Sequence, residues 1–121
     1  MAHYLVEASY TPQSWSAQVE NPVSPVDRIT PMIEACGGSL QFLYYAFGEV
    51  EIVGVADFPA PEDATAFGRV IGASGATRMI RVTPLLTIDQ GLASLHRARE
   101  IRSRYAPPLT VSLVEKPVAA R

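Results

Sequence analysis

Apolar and polar residues alternate from the start of the chain. Tyr4, Val6, Ala8 and Tyr10 share one side and His3, Leu5, Glu7 and Ser9 the other, the period of two that marks a β-strand. Thr11-Pro12 ends it. Residues 13–23 carry no clear period: a helical turn around Trp15 has room, and Asn21-Pro22 stops anything regular. Ser24 then offers an N-cap with Pro25 at the first helical position. Val26, Ile29, Ile33 and Cys36 recur at helical spacing up to the Gly37-Gly38 C-cap pair. Pro31 falls inside this helix, where it removes one backbone bond.

The segment from Leu40 to Phe47 is an aromatic strand containing Phe42, Tyr44, Tyr45 and Phe47. A tight turn at Gly48-Glu49, with Gly48 at positive φ, leads into a second strand from Val50 to Phe58. Val50, Ile52, Gly54, Ala56 and Phe58 oppose Glu51, Val53, Val55 and Asp57, so both faces of this hairpin carry apolar groups. A helix follows Pro59–Asp63, with Ala64, Phe67, Val70 and Ile71 as its buried stripe and Gly72 and Gly75 at its end. Thr77 to Leu86 is a fourth strand, in which Met79, Arg81, Thr83 and Leu85 oppose Arg78, Ile80, Val82 and Pro84. Pro84 argues for an edge position or for the end of the strand. Thr87 and Gln90 form a capping box for a last helix to about Tyr105, with Leu92, Leu95 and Ile101 inward. The order is that of an α+β, ferredoxin-like βαββαβ sandwich with an extra C-terminal helix. It predicts one domain over 1–105 and a tail over 106–121, in which 109–115 alternates as an added strand.

A chain of 121 residues fits one domain, and 48% hydrophobic residues suffice for a core. The charged fraction is 18% and the net charge −2, so no strong field draws the molecule to nucleic acid or an anionic membrane. No apolar run is long enough for a transmembrane helix and no leader pattern opens the chain. Cys36 is the single cysteine, which excludes an intramolecular disulfide and fits a cytoplasmic location. The two apolar hairpin faces, with helices for only one, predict a homo-oligomer, at least a dimer.

Phe47-Gly48-Glu49-Val50-Glu51-Ile52-Val53, with Asp27-Arg28 and Gly37-Gly38 before it and Ala73-Ser74-Gly75-Ala76-Thr77-Arg78 after it, resembles the GYD-domain family of small bacterial proteins, near the dimeric α+β barrel superfamily. The likeness spans about residues 4 to 95. Where the family name expects Tyr and Asp, this chain has Val50 and Glu51. The acid is kept in longer form, and a role resting on the phenol is put in doubt. The resemblance implies the barrel fold. It sets this chain beside cofactor-free monooxygenases and lactone isomerases without assigning a reaction.

Site chemistry is sparse in the residues themselves. His3, His96 and Cys36 lack metal-ligand spacing, so no metal site is expected, and no cofactor. Cys36 precedes a helix C-terminus, which disfavours a thiolate. Gly72-Ala73-Ser74-Gly75 follows a helix and reads as a cap, and Arg97, Arg99, Arg102 and Arg104 read as a solvated helix end. Glu49 and Glu51 share one side of the hairpin. Glu51 reads first as the partner of Arg78 or Arg81 in a register-fixing ion pair, and second as a ligand anchor or general base. Tyr4, Tyr44, Tyr45 and Trp15 are core or interface residues first and pocket lining second. The candidate ligand-binding residues are thus Glu51, Tyr44, Tyr4 and Arg78. Two functions stay open: an oligomeric small-molecule-binding or structural protein, or a cofactor-free isomerase or monooxygenase acting on a small apolar or aromatic metabolite.

Overall fold

The computed structural model describes residues 1–109. In chain order its elements are β1 (Ala2–Tyr10), α1 (Pro12–Glu20), α2 (Pro25–Ala35), β2 (Ser39–Tyr45), β3 (Ile52–Phe58), α3 (Pro61–Ala73), β4 (Thr77–Leu85) and α4 (Ile88–Ile101), with a 3₁₀ turn at Arg102–Arg104. Met1–Leu85 forms one compact unit, and the described residues from Leu86 to Leu109 belong to a second.

In the first unit the strands form one antiparallel sheet in the order β2-β3-β1-β4. This is the ferredoxin-like α+β arrangement, with β4 at an edge as Pro84 requires. Residues at every second position supply the core. Tyr4 and Val6 of β1 and Ala56 and Phe58 of β3 pack with Ile33 of α2 and with Ala64 and Phe67 of α3. Tyr4 meets Phe58 edge-on at 5.7 Å, and Phe58 meets Phe67 at 5.4 Å. Val70, expected in the α3 stripe, is 58% exposed.

Local chemistry sets the ends of the helices. Pro31 is accommodated inside α2. Gly37 takes φ 79°. Its N–H donates to Glu34 O at 2.9 Å, and the Gly38 N–H donates to Ile33 O at 3.0 Å. These two bonds make a Schellman cap that satisfies the last carbonyls of α2. Residues 12–20, read from sequence as at most a turn, form the full helix α1. Thr11 caps it by accepting from Ser14 N at 3.1 Å, and Pro12 takes a first-turn position.

Two bulges break the strand alternation. Between Ser9 and Tyr10 the β1–β4 register skips Arg78, and between Leu40 and Phe42 the β2–β3 register skips Gln41. The expected tight turn at Gly48 is instead a connection over residues 46–51. It is closed by Ala46 N–H to Glu51 O and extended along β1 by Glu51 N–H to Ala8 O, each 2.9 Å. The second strand therefore begins at Ile52, and Gly48 does not take positive φ. The glycine under steric constraint in this region is Gly54, where a Cβ would lie 2.4 Å from the carbonyl oxygen of Phe42 at the β2 bulge.

In the second unit, Thr87 and Gln90 form the reciprocal capping box of α4. Leu92, Leu95 and Ile101, expected inward, are exposed. The added strand expected over 109–115 lies, past Leu109, outside the described residues. Gly54→Ala is expected to destabilise by about 1–3 kcal/mol through overpacking, whereas Gly48→Ala, with only Val50 O at 3.9 Å nearby, leaves the melting temperature unchanged. Paired thermal melts check both.

Candidate functional site

Tyr10 ends β1 on the helix-covered face, at the bulge where the ladder skips Arg78. A bulge leaves backbone groups without ladder partners, and two side chains take them here. The Tyr10 N–H donates to Glu51 Oε1 at 2.7 Å, and Arg78 Nε donates to the Tyr10 carbonyl at 2.8 Å. Arg78 Nη2 also lies 3.5 Å from Glu51 Oε1. Of the two arginines proposed as partners for Glu51, Arg78 is therefore the one beside it, while Arg81 faces Glu7 at 4.0 Å. The Tyr10 N–H chiefly holds the Glu51 carboxyl below its ordinary value of 4.5, against the opposing pull of desolvation, and the Trp15 indole and Arg78 add to the lowering.

Fixed in this way, the Tyr10 ring packs edge-on against Trp15 of α1 at 5.1 Å, and Trp15 in turn reaches Tyr45 at 6.3 Å. Tyr10 also lines a cavity of about 300 Å³ between the sheet and helices α2 and α3. Val6, Ala8, Leu43, Ile52, Met32 and Phe67 are among its apolar walls, and Tyr10, Arg28, Ser74 and Thr77 supply its polar groups. Burial raises the Tyr10 phenol above its ordinary pKa, with Tyr45 and Glu51 pushing the same way and Arg28 opposing them. The hydroxyl therefore stays protonated and available as a donor. Glu51 belongs to a separate concavity of about 660 Å³ with Trp15, Tyr45 and Phe47.

The sequence-derived candidates divide accordingly. Glu51 and Arg78 come together at Tyr10. Tyr4 is a core residue, 5% exposed. Tyr44 pairs with Val53 on the opposite face of the sheet, 5.6 Å from Phe42. Tyr10 and Arg28 were missed as site residues, because the strand's alternation marked Tyr10 as core and Arg28 is one of several arginines without a motif. A second cluster was missed as well. On the face away from the helices, Asp57 is 8% exposed, hydrogen-bonds His3 Nδ1, and accepts from Gln41 Nε2 at 2.6 Å. His3 and Asp57 are directly opposed across β1 and β3, a juxtaposition that sequence spacing does not reveal. Among the described residues no group of three or more His, Cys, Asp and Glu side chains gathers as metal ligands do, and no helix is long and apolar enough to cross a membrane.

The fold, the bulge-bound acid and the cavity define a small α+β domain of the split-βαβ type. The family model for the GYD domain matches residues 4–94, and the chain belongs to that family. No curated protein matches the chain at a significant level.

The Glu51 pairing has a pH signature. A carboxyl whose folded pKa is depressed adds stability that is fully present above its unfolded pKa and is lost as pH falls through the folded value. Glu51→Gln is expected to melt below the parent at pH 7, with the gap closing as pH drops below the ordinary carboxylate range. A gap that is the same at pH 7 and at pH 3 contradicts this assignment.

Proposed function

We propose that the chain is a homo-oligomeric GYD-domain protein that binds a small, largely apolar molecule in the cavity between its sheet and helices α2 and α3. The cavity carries this reading. A space of about 300 Å³ with apolar walls and a few polar groups has the size and chemistry of a small-molecule site.

Assembly is supported by the sheet itself. Within the Met1–Leu85 unit the helices pack on one face, and the other carries Leu5, Phe42, Tyr44, Val53 and Val55 in adjacent strands. A second copy of the chain on that face removes this apolar surface from water.

Binding without chemistry is favoured over an isomerase or monooxygenase. A general base works best with a pKa near the operating pH. Glu51 is displaced downward and its Oε1 is committed to the Tyr10 N–H, which suits an anchor better than a base. The reading invokes no cofactor.

Two measurements test the proposal. Sedimentation at micromolar concentration is expected to give at least a dimer of the 13.1 kDa chain, and a clean monomer removes the assembly claim. Ligand-detected NMR is expected to show indole or p-cresol binding to the parent. The affinity should fall at least about tenfold in Val70→Trp, which fills the cavity from an exposed position on α3. Equal binding by a folded Val70→Trp protein overturns the cavity reading.

A further inference from the structure

We propose that the cavity takes small monocarboxylic acids with an aryl or short aliphatic tail, the carboxylate held at the rim by Arg28 and the Tyr10 hydroxyl and the tail lying among the apolar walls. This inference rests on the cavity reading above and adds the chemical class of the ligand.

The distribution of polar groups carries the argument. Of the residues that line the cavity, none is Asp or Glu, and the one charged side chain is Arg28. Tyr10, Arg28 and Ser74 also line an outer concavity of about 330 Å³, shared with Gln13 and Gln18 of α1. These three residues therefore stand between the interior and the outside, at the rim, while the walls behind them are mainly apolar. A ligand that matches this division has an anionic head and an apolar tail.

Of the three rim residues, Ser74 donates its hydroxyl to Ile71 O at 2.6 Å, while among the described residues the Arg28 guanidinium and the Tyr10 hydroxyl have no acceptor. Among the described residues the arginine–carboxylate pairs are Arg78–Glu51, Arg81–Glu7 and Arg97–Glu100, and Arg28 has no carboxylate within ion-pair distance. The backbone of Tyr10 is taken by Glu51 and Arg78. That fixes the residue and leaves its hydroxyl out of the network, protonated and able to donate. Thr77, the register partner of Tyr10 on β4, has a buried Oγ1 with no hydrogen-bond partner among the described residues, and it too lines the cavity. A guanidinium offers a carboxylate two parallel N–H donors, and its single charge matches a monoanion. A cationic head would meet Arg28 with repulsion and find no acid in the cavity.

The experiment compares 3-phenylpropionate with its neutral isostere 3-phenylpropanamide by isothermal titration. Emission of Trp15, the one tryptophan, which packs on Tyr10, serves as a second readout. The acid is expected to bind at least about tenfold tighter than the amide. Arg28→Gln should weaken the acid far more than the amide and so abolish that preference. Arg28→Lys, which keeps the charge and loses the fork, should retain part of it, and Tyr10→Phe should weaken the acid more than the amide. Equal affinity of acid and amide for the parent overturns the proposal, as does a preference that survives Arg28→Gln. Binding of indole or p-cresol without any acid preference leaves the cavity reading intact and removes only this one. No binding of any of the four compounds removes both.

Discussion

Both backbone polar groups of Tyr10 are held by side chains from elsewhere in the sheet region, Glu51 just before β3 and Arg78 on β4, and the site depends on that arrangement. The β1–β4 register shifts between Ser9 and Tyr10 and skips Arg78. The Glu51 carboxylate takes its N–H and the Arg78 guanidinium its carbonyl. A backbone group left unpaired away from water is costly, and an ionised acceptor makes a stronger bond than a neutral one. The clamp sets where β1 stops and where the chain turns, at Thr11, into α1. It thereby fixes the Tyr10 ring against Trp15 and at the edge of the cavity.

A similar device recurs at the opposite end of the sheet. Gln41 is the residue skipped at the β2 bulge, and its side chain donates to Asp57, just as the skipped Arg78 reaches Glu51. In each case an acid on or beside β3 collects the side chain that a bulge has redirected. The two acids serve different ends. Glu51 secures backbone near the cavity, while Asp57 is shared with His3 on the face away from the helices. The departure at Val50 and Glu51 from the Tyr and Asp of the family name places no phenol at position 50. The phenols near Glu51 come from Tyr10 at the end of β1 and Tyr45 at the end of β2.

Much of the fold was legible because its signals are local. Alternation from Tyr4 to Tyr10, Gly37-Gly38 after α2 and Thr87 with Gln90 before α4 each specify a short piece of backbone, and each piece forms as read. Helix α1 lacked an apolar stripe, yet Thr11-Pro12 carries the same cap-and-proline signature as Ser24-Pro25. Weighing the cap above the periodicity finds it. The site was less legible. Bulges shift a strand by one residue without altering its composition, so Arg78 was assigned to the face of Ile80 and Val82. Turn chemistry points to Gly48 as the constrained glycine of the hairpin, whereas the close approach in that hairpin falls at Gly54. The meeting of Tyr10, Glu51 and Arg78 joins residues far apart in sequence, and only the strand pairing brings them together.

Hydrogen exchange of the Tyr10 amide tests this account most directly. The N–H sits at the end of a strand, where fraying normally gives fast exchange, and here it donates to the Glu51 carboxylate. The account predicts a protected Tyr10 amide in the parent. In Glu51→Ala that amide loses protection while Val6 and Ala8 of the same strand keep theirs. A Tyr10 amide equally protected in both proteins contradicts it.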